Sequence, residues 1–161
     1  MLTVIFSSHN GAGTLPRMLE ALCELQVPEG GWQIIAIDNA STDGTSDILR
    51  KYQQHLPLVL LLQPKLGKNA ALNLALPHVQ GDLVVFTDDD VLPETGWLTT
   101  LAGAAQQEPE YDIFAGAIIP EWPRTPPQWI LDYVPLGPAY VATPPTRKAG
   151  PVRPSAVWGP N

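Results

Sequence analysis

Short apolar segments rich in β-branched residues recur along the first two-thirds of the sequence, separated by amphipathic stretches. Each segment is nearly continuous in its apolar character, which is typical of strands in a parallel sheet that is covered on both faces. We predict strands over residues 2–6, 32–38, 58–63 and 82–88, and a fifth over residues 111–119. No other feature of the sequence constrains the fold as strongly.

Helical periodicity occupies the intervals between these strands. In the first interval, leucine and methionine recur at spacings of three and four residues from Leu15 to Leu25. Further helices are predicted over residues 46–56, 68–79 and 94–107, the second of them disturbed near its end by Pro77. Alternation of strands and helices predicts an α/β fold with a doubly wound, mostly parallel, Rossmann-like sheet.

The texture of the sequence changes beyond residue 120. Eleven of the 18 prolines lie in residues 120–161, and proline disfavours long regular elements. We therefore predict two parts, an α/β domain over residues 1–119 and a Pro/Trp-rich, semi-rigid loop over residues 120–161 that lies over the sheet edge. The closing "VWGPN" adds no further element, so we expect the native protein to continue past Asn161.

Charge, cysteine count and hydropathy exclude several classes of protein. A net charge of −7 argues against a nucleic-acid-binding surface. Residues 1–120 carry 5 basic and 14 acidic side chains, whereas residues 121–161 carry 4 and 2. No apolar run is long enough for a signal peptide or a membrane span. The single cysteine, Cys23, precludes an internal disulfide, indicates a reducing, cytoplasmic setting, and is predicted to be buried and inert.

Three polar clusters directly follow three of the predicted strands. They read "SSHNGAG" (7–13), "DNASTDGT" (38–45) and "TDDDV" (87–91). Because the carboxyl ends of parallel strands meet at one edge of a sheet, and ligands bind there in such folds, we expect the three clusters to form one site.

Asp38 and the residues after it have two possible roles. An acid at the end of the second strand can accept a hydrogen bond from a nucleotide base or a ribose hydroxyl. Alternatively, this stretch caps the next helix. We favour ligand contact for Asp38 and capping for Thr42 or Asp43.

Two lysines flank a glycine just before the third helix, in "QPKLGKNAALN" (63–73). A helix N-terminus beside glycine and lysine is suited to binding an anion, so Lys68 is a candidate phosphate ligand. The alternative is that Lys65 and Lys68 are ordinary solvated lysines.

Three consecutive aspartates, Asp88 to Asp90, end the fourth strand. Neighbouring carboxylates repel one another, so a positive partner is expected, and Mg²⁺ typically binds through one or two carboxylates plus substrate phosphates. Asp88 and Asp90 would point the same way, leaving Asp89 to cap a helix near Glu94. The alternative is a turn and capping cluster without a metal.

In their order, these motifs resemble family 2 glycosyltransferases of the glycosyltransferase A-type fold. The matching pieces are "SSHNGAGTLPRML", "DNASTDGT", "LGKNAALNLAL" and "GDLVVFTDDDVLP", the last resembling the family's Asp-x-Asp-type motif. The resemblance covers residues 2–119 and continues loosely to "WGPN". It implies that this chain is the N-terminal, nucleotide-sugar-binding portion of such an enzyme.

The resemblance also implies roles for individual residues. Asp38 would contact the base, Asn10 and Gly11 would line the base pocket, and Asp88 and Asp90 would contact the ribose and a Mg²⁺ or Mn²⁺ ion on the diphosphate. The predicted nucleotide-binding residues are Ser8, His9, Asn10, Asp38, Lys68, Asp88 and Asp89, and the predicted metal ligands are Asp88 and Asp90. Family members invert configuration with a carboxylate base, which is expected beyond Asn161.

The sequence departs from the family pattern at three positions. Ser7 and His9 stand where proline and tyrosine are usual, and Leu74 stands where a helix glycine is common. His9 is predicted either to stack on or bond a base, or to be an ordinary loop histidine. Glu121 and Asp132 do not lie in a convincing base motif.

The function that the resemblance implies is transfer of a sugar from a nucleotide-diphosphate sugar, with UDP-sugar as the default donor, to a saccharide or lipid-linked acceptor. Trp122 and Trp129 are candidates to stack on acceptor sugars, and Arg147, Lys148 and Arg153 to meet a diphosphate or, in a peripheral association with the inner face of a membrane, anionic headgroups. Alternatively, the aromatic residues anchor a proline-rich loop to the core. The alternatives are a non-catalytic nucleotide-binding module and a sugar-phosphate nucleotidyltransferase. The latter requires an arginine that "SSHNGAGT" lacks.

Overall fold

The computed structural model describes residues 1–144 and 146–153 and divides the chain into two compact units. The first unit comprises Met1–Asp112, and the second begins at Ile113. The "WGPN" stretch, residues 158–161, lies outside the described residues.

The first unit contains a four-stranded sheet in which every strand is parallel to its neighbours. The strands are β1 (Leu2–Ser8), β2 (Trp32–Asn39), β3 (Leu58–Gln63) and β4 (Leu83–Phe86), in the order β3-β2-β1-β4. The predicted mostly parallel α/β fold is confirmed, with the first strand of the chain at a central position.

The register of the sheet decides which polar residues meet at its carboxyl edge. Ser8 of β1 lies opposite Asp38 of β2, so these two strands end level with each other. β4 ends opposite Ile5, and the Thr87 N–H donates to the Ile5 carbonyl at 3.1 Å. The segments that follow β1, β2 and β4 therefore leave the sheet side by side.

The connecting helices agree in position with the predicted ones but are shorter. They are α1 (Leu15–Cys23), α2 (Thr45–Tyr52), α3 (Lys68–Ala75) and α4 (Trp97–Gln107). Pro77 does end regular helix, because α3 passes into a single 3₁₀ turn over Leu76–His78. α4 begins three residues later than predicted, since residues 91–94 are irregular and 95–96 form a turn.

Helices cover both faces of the sheet, which confirms the doubly wound arrangement. On one face, α1, α2 and α4 bury apolar side chains that include Leu19, Leu49 and Leu98 against Phe6 and Ile34. On the other face, α3 packs Ala71 and Ala75 on Ile5, Ile35 and Ile37. Both faces of β1 and β2 are therefore buried, which explains why their sequences do not alternate.

The fifth predicted strand, over residues 111–119, is wrong. This segment has no strand structure, and Ile113 and Ile119 are exposed. Ile118 donates its N–H to Thr143 Oγ1 at 2.9 Å and accepts from the Thr143 N–H at 2.8 Å. β-branched residues favour a strand only where a neighbouring strand offers a hydrogen-bonding edge, and here Ile118 bonds to an irregular segment instead.

The predicted burial of Cys23 is also wrong, because its side chain is exposed at the end of α1. Partial desolvation, with Glu24 and Glu20 nearby, raises the pKa of the thiol. A thiol of raised pKa is mostly protonated near neutral pH, so Cys23 is a poor nucleophile as expected.

The regular elements that the structure describes in the second unit are short helices. They are α5 (Gln128–Tyr133) and α6 (Leu136–Tyr140). Trp122 packs edge-to-face against Tyr140 with ring centroids 4.9 Å apart, whereas Trp129 and Tyr133 are exposed. Across the described parts of both units, no helix is long and apolar enough to cross a membrane.

Candidate functional site

An open cavity of about 390 Å³ lies in the first unit, beyond the carboxyl ends of β1, β2 and β4. Of the predicted site residues, the cavity wall contains Ser8, His9, Lys68, Asp88, Asp89 and Asp90; Ser7, Asn39, Leu66 and Gly67 complete it. Asn10 and Asp38 are not part of the wall. The structure thus brings together the segments that follow three separate strands, as expected for parallel α/β sheets.

The acidic loop, residues 87–90, contacts a lysine in the cavity wall. The Lys68 ammonium forms an ion pair with Asp88 Oδ1, and both side chains are partly shielded from solvent, with 35% and 22% of their surface exposed. Lys68 is the first residue of α3, so its charge and the positive end of the helix lie at the same place. This corner of the cavity is suited to an anion.

Asp89 joins the acidic loop to the end of β1. Asp89 was expected to cap a helix, but its Oδ2 instead accepts a hydrogen bond from Ser8 Oγ. The chain approaches these two side chains closely at Gly11, where a Cβ atom would lie 2.1 Å from Ser8 Oγ and 2.6 Å from Asp89 Oδ2. Glycine is therefore required at position 11 for the loop to pass.

Asn39 fixes the loop that carries Lys68, and sequence reasoning missed it. Its side chain is 3% exposed. Its Oδ1 accepts from the Gly67 N–H at 2.9 Å, and its Nδ2 donates to the Lys65 carbonyl at 2.9 Å. The only signal in the sequence was a polar amide directly after Asp38 at the end of a buried strand, where it must satisfy main-chain groups.

Hydrogen bonds link the segment after β1 to the segment after β2. We call this network, formed by residues 9–12 and 38–46, the clasp. Asn10 is its centre: the Asn10 N–H donates to Ser41 Oγ at 3.0 Å, and Asn10 Oδ1 accepts from the Thr42 N–H at 2.8 Å. Asn10 has a φ of 55°, in the left-handed region that asparagine tolerates better than most residues.

The clasp continues into the start of α1 and α2. The Gly11 N–H donates to Thr45 Oγ1 at 2.9 Å, and the Ala12 N–H donates to Asp43 Oδ2 at 3.1 Å. Asp43 also accepts from the Thr45 N–H at 3.0 Å, so it satisfies a donor in the first turn of α2. The hydrogen bond from the Thr45 hydroxyl lowers the pKa of the Asp43 carboxyl. Of the two predicted capping residues, Asp43 bonds the helix start, whereas Thr42 bonds Asn10.

His9 lies in both the cavity wall and the clasp. Its Nδ1 is 2.8 Å from the Asn39 carbonyl, and its Nε2 is 3.2 Å from Asn10 Nδ2. A carbonyl only accepts and an amide nitrogen only donates, so both contacts require the tautomer with hydrogen on Nδ1. The ring is thereby held in one orientation at the edge of the cavity.

Asp38 is buried, and both its oxygens have protein partners. Oδ1 accepts from the Ser41 N–H at 3.0 Å, and Oδ2 accepts from Ser46 Oγ. Burial raises the pKa of this carboxyl, but the hydrogen bonds from Ser41 and Ser46 outweigh burial and lower the pKa overall. Asp38 is thus ionised and engaged in the clasp, and its predicted contact with a base stays a prediction.

The acidic loop has donor chemistry that fits a divalent cation shared with a ligand. Among the described residues, no three histidine, cysteine or acidic side chains are grouped so as to hold a metal alone. Mg²⁺ and Mn²⁺ take carboxylate oxygens and commonly complete their coordination with substrate phosphates and water. Asp88 and Asp90 in one cavity wall match that arrangement.

Carboxylates and a lysine at the carboxyl ends of parallel strands, beside a helix N-terminus, are typical of α/β proteins that bind phosphorylated ligands. Residues 3–150 match the protein-family model described as Glycosyl transferase family 2. The chain therefore belongs to glycosyltransferase family 2, as the order of its four motifs indicated.

Similar proteins are longer than this chain. Beta-monoglucosyldiacylglycerol synthase from Nostoc sp. is 28% identical over 111 residues, covering 66% of this chain and 24% of that protein. Mannosyltransferase PcManGT from Pyrobaculum calidifontis, solved in complex with GDP-Man and Mn²⁺, is 35% identical with a TM-score of 0.59, over 72% of this chain and 34% of that one.

A third similarity supports the fold alone. The structure of S. aureus TarS 1–349 in complex with UDP-GlcNAc has a TM-score of 0.70 and 24% identity, covering 80% of this chain and 37% of that chain. This chain thus spans between 24% and 37% of the length of these three proteins.

Proposed function

We propose that this chain forms the donor-binding part of a glycosyltransferase that uses a nucleotide-diphosphate sugar. The observation that carries the proposal is the cavity in which the Lys68–Asp88 pair, Asp89 and Asp90 lie together at the start of α3, in a chain of glycosyltransferase family 2. Family membership favours this activity over the nucleotidyltransferase alternative.

We assign a diphosphate end and a nucleoside end to the cavity. Lys68 and the N-terminus of α3 attract the negative charge of the diphosphate. We assign the base to His9, whose ring the clasp holds at the cavity wall, and propose Ser8 and Asp89 as further nucleotide contacts. Asp38 and Asn10 lie outside the cavity wall and support the nucleoside end through the clasp. Asp88 is the candidate ligand of the ribose.

Asp88 and Asp90 would hold Mg²⁺ or Mn²⁺, which neutralises the charge that develops on the departing diphosphate. The protein's own contribution is to orient the diphosphate at Lys68, so that an acceptor hydroxyl can displace it from the anomeric carbon with inversion. UDP is the first nucleotide to test. GDP is the second, since the Pyrobaculum mannosyltransferase was solved with GDP-Man and Mn²⁺.

We assign acceptor binding to residues 120–161. Trp129 and Tyr133 are exposed on α5, and aromatic faces suit sugar rings or a membrane interface. We propose a saccharide or lipid-linked acceptor at the cytoplasmic face of a membrane; the beta-monoglucosyldiacylglycerol synthase among the relatives supports the lipid-linked option.

Calorimetric titration tests this proposal. UDP and GDP are titrated into the wild-type chain with and without Mn²⁺, and into an Asp88→Ala/Asp90→Ala variant. The control is Asp82→Ala/Asp112→Ala, which removes the same charge from two exposed positions outside the cavity wall.

We expect Mn²⁺-dependent binding of at least one nucleotide to the wild type and the control, and a loss of about tenfold or more in the cavity variant. Absence of nucleotide binding to the wild-type chain under every metal condition would overturn the proposed function. Equal loss in the two double variants would show that overall charge, rather than this cavity, governs binding.

A further inference from the structure

The ion pair between Lys68 and Asp88 places a positive charge of the protein itself on a predicted metal ligand. The Lys68 ammonium contacts Asp88 Oδ1, one of the oxygens that a divalent cation would need. Two cations cannot occupy the same carboxylate oxygen at the same distance without strong mutual repulsion. A metal that takes Asp88 Oδ1 would therefore compete with Lys68 for that oxygen.

The Lys68 ammonium can move away from Asp88 because its side chain is long, even though its backbone is fixed. Asn39 anchors the preceding residue through the Gly67 N–H at 2.9 Å, and the Lys68 N–H begins α3. The flexible four-carbon stem allows the ammonium to leave Asp88 without moving the loop. Once it has left Asp88, the ammonium can pair with an anionic ligand at the N-terminus of α3.

We propose that Lys68 is a positioning residue that acts as an exchangeable counter-cation. In the donor-free protein its ammonium neutralises Asp88. When a divalent cation and a nucleoside diphosphate bind, the cation takes Asp88 and Lys68 pairs with the diphosphate. This inference rests on the proposed function and adds to it a direct competition between Lys68 and the metal.

Charge balance in the cavity supports the exchange. Asp88, Asp89 and Asp90 share the cavity wall, and among the residues that the structure describes Lys68 is the one lysine or arginine side chain that lines it. Asp89 has a hydroxyl partner in Ser8, whereas Asp88 relies on Lys68. A partly buried carboxylate without a partner is destabilising, so Lys68 holds the acidic loop together until another cation arrives.

A consequence is reciprocal coupling between metal and nucleotide. Metal binding frees Lys68 for the diphosphate, and diphosphate binding frees Asp88 for the metal. By linkage, each ligand raises the affinity for the other by the same factor. Removing the lysine removes the part of this coupling that passes through the ion pair.

The test measures Mn²⁺ affinity in the absence of nucleotide, by electron paramagnetic resonance of free Mn²⁺, in Lys68→Gln, Lys65→Gln and Lys68→Arg. Lys65 is exposed in the same loop, outside the cavity wall, so its variant corrects for the loss of one nearby charge. Lys68→Arg keeps the charge. Thermal unfolding of each variant confirms that the chain is folded.

We expect Lys68→Gln to bind Mn²⁺ at least about threefold more tightly than Lys65→Gln, because a competing ion pair has been removed. Lys68→Arg should stay near the wild-type affinity. UDP or GDP should bind Lys68→Gln more weakly than Lys65→Gln when metal is omitted, since the diphosphate loses its ammonium partner.

Two failures are distinguishable. In the first, the wild type binds a nucleotide with Mn²⁺, but Lys68→Gln and Lys65→Gln have the same Mn²⁺ affinity, whether measurable or too weak to detect. The exchange is then overturned and the proposed function stands. If the wild type binds no nucleotide, the proposed function itself is overturned. If Lys68→Arg binds Mn²⁺ as tightly as Lys68→Gln, the charge of Lys68 does not compete and the exchange is again wrong.

Discussion

The clasp and the acidic loop lie at the same edge of the sheet but differ in where their polar side chains find partners. In the clasp, Asn10, Asp38 and Asp43 direct their side-chain oxygens to donors within the protein. In the acidic loop, Asp90 is exposed in the cavity wall. Asp88 is paired with Lys68, whose ammonium can also pair with a ligand. The clasp is satisfied within the protein, whereas the acidic loop keeps Asp89 bonded to Ser8 but presents Asp88 and Asp90 to the cavity.

This difference separates the residues that build the site from those that meet the ligand. A side chain whose hydrogen bonds all stay within the protein contributes mainly to the free energy of unfolding. A charge facing a cavity contributes little to stability, because solvent already solvates it, and remains available for binding. Substitutions in the two regions should therefore have opposite profiles in stability and in nucleotide affinity.

The largest effect on stability is expected for Asn10→Ala. The substitution removes the acceptor of the Thr42 N–H and places alanine at a φ of 55°, which together should lower the free energy of unfolding by about 2 kcal/mol. Asn10→Gly is the matched control, since it removes the same side chain but tolerates the backbone angle, and should lose about half as much. Urea unfolding measures both. Wild-type stability in Asn10→Ala would show that the clasp is not a structural element.

An intermediate effect, visible as pH dependence, is expected for Asp38→Asn. The hydrogen bonds of the clasp lower the pKa of Asp38 in the folded protein. The ionised carboxylate therefore stabilises the fold above its unfolded pKa of about 3.9, and this contribution is lost as the pH falls through the lower, folded pKa. In Asp38→Asn, stability should be lower at neutral pH and fall less steeply with acid.

Urea unfolding at several values between about pH 7 and about pH 3 measures this slope. Asp47→Asn controls for the loss of one carboxylate, at an exposed position where the side chain pairs with Arg50. Parallel pH profiles for the wild type and Asp38→Asn would contradict the assigned role of the Ser41 and Ser46 hydrogen bonds.

The smallest effect on stability is expected for Asp90→Asn in the acidic loop. The change removes an exposed charge from a loop of like charges, so the free energy of unfolding should change by less than about 0.5 kcal/mol. Mn²⁺-dependent nucleotide affinity should nevertheless fall. Thermal unfolding and calorimetry on the same sample check both. Loss of stability comparable to that of Asn10→Ala would abolish the distinction between the two regions.

The sequence predicted the sheet well because its strands have a strong local signal. Ile34 to Ile37 and Val4 to Phe6 are buried on both faces and read as unbroken apolar runs. Residues 111–119 carry the same local signal without forming a strand, because pairing depends on a distant neighbour that local composition does not encode. The end of α2 was predicted too late and the start of α4 too early for a related reason, since helix boundaries depend on tertiary contacts.

The site was predictable as a location but only partly as a set of contacts. The three polar clusters converge because parallel strands all end at one edge, which follows from topology alone. The pairing of Lys68 with Asp88, and of Ser8 with Asp89, depends on how far β4 is displaced along β1, and no local pattern gives that register. The role of Asn39 was missed for the same reason, because its partners lie on a loop 26 to 28 residues away.

The order of the segments along the chain also sets the order in which the site can be completed during synthesis. The hydrogen bonds that link the two segments of the clasp join residues 30 to 34 positions apart, whereas Ser8 and Asp89 are separated by 81. The additional loop-closure entropy is modest, about 0.9 kcal/mol. Translation, however, at roughly 5–20 residues per second, separates Ser46 from Asp88 by about 2–8 s. A nascent chain can thus close the clasp first and gain the acidic loop, with its lysine partner already in place, as the last part of the cavity.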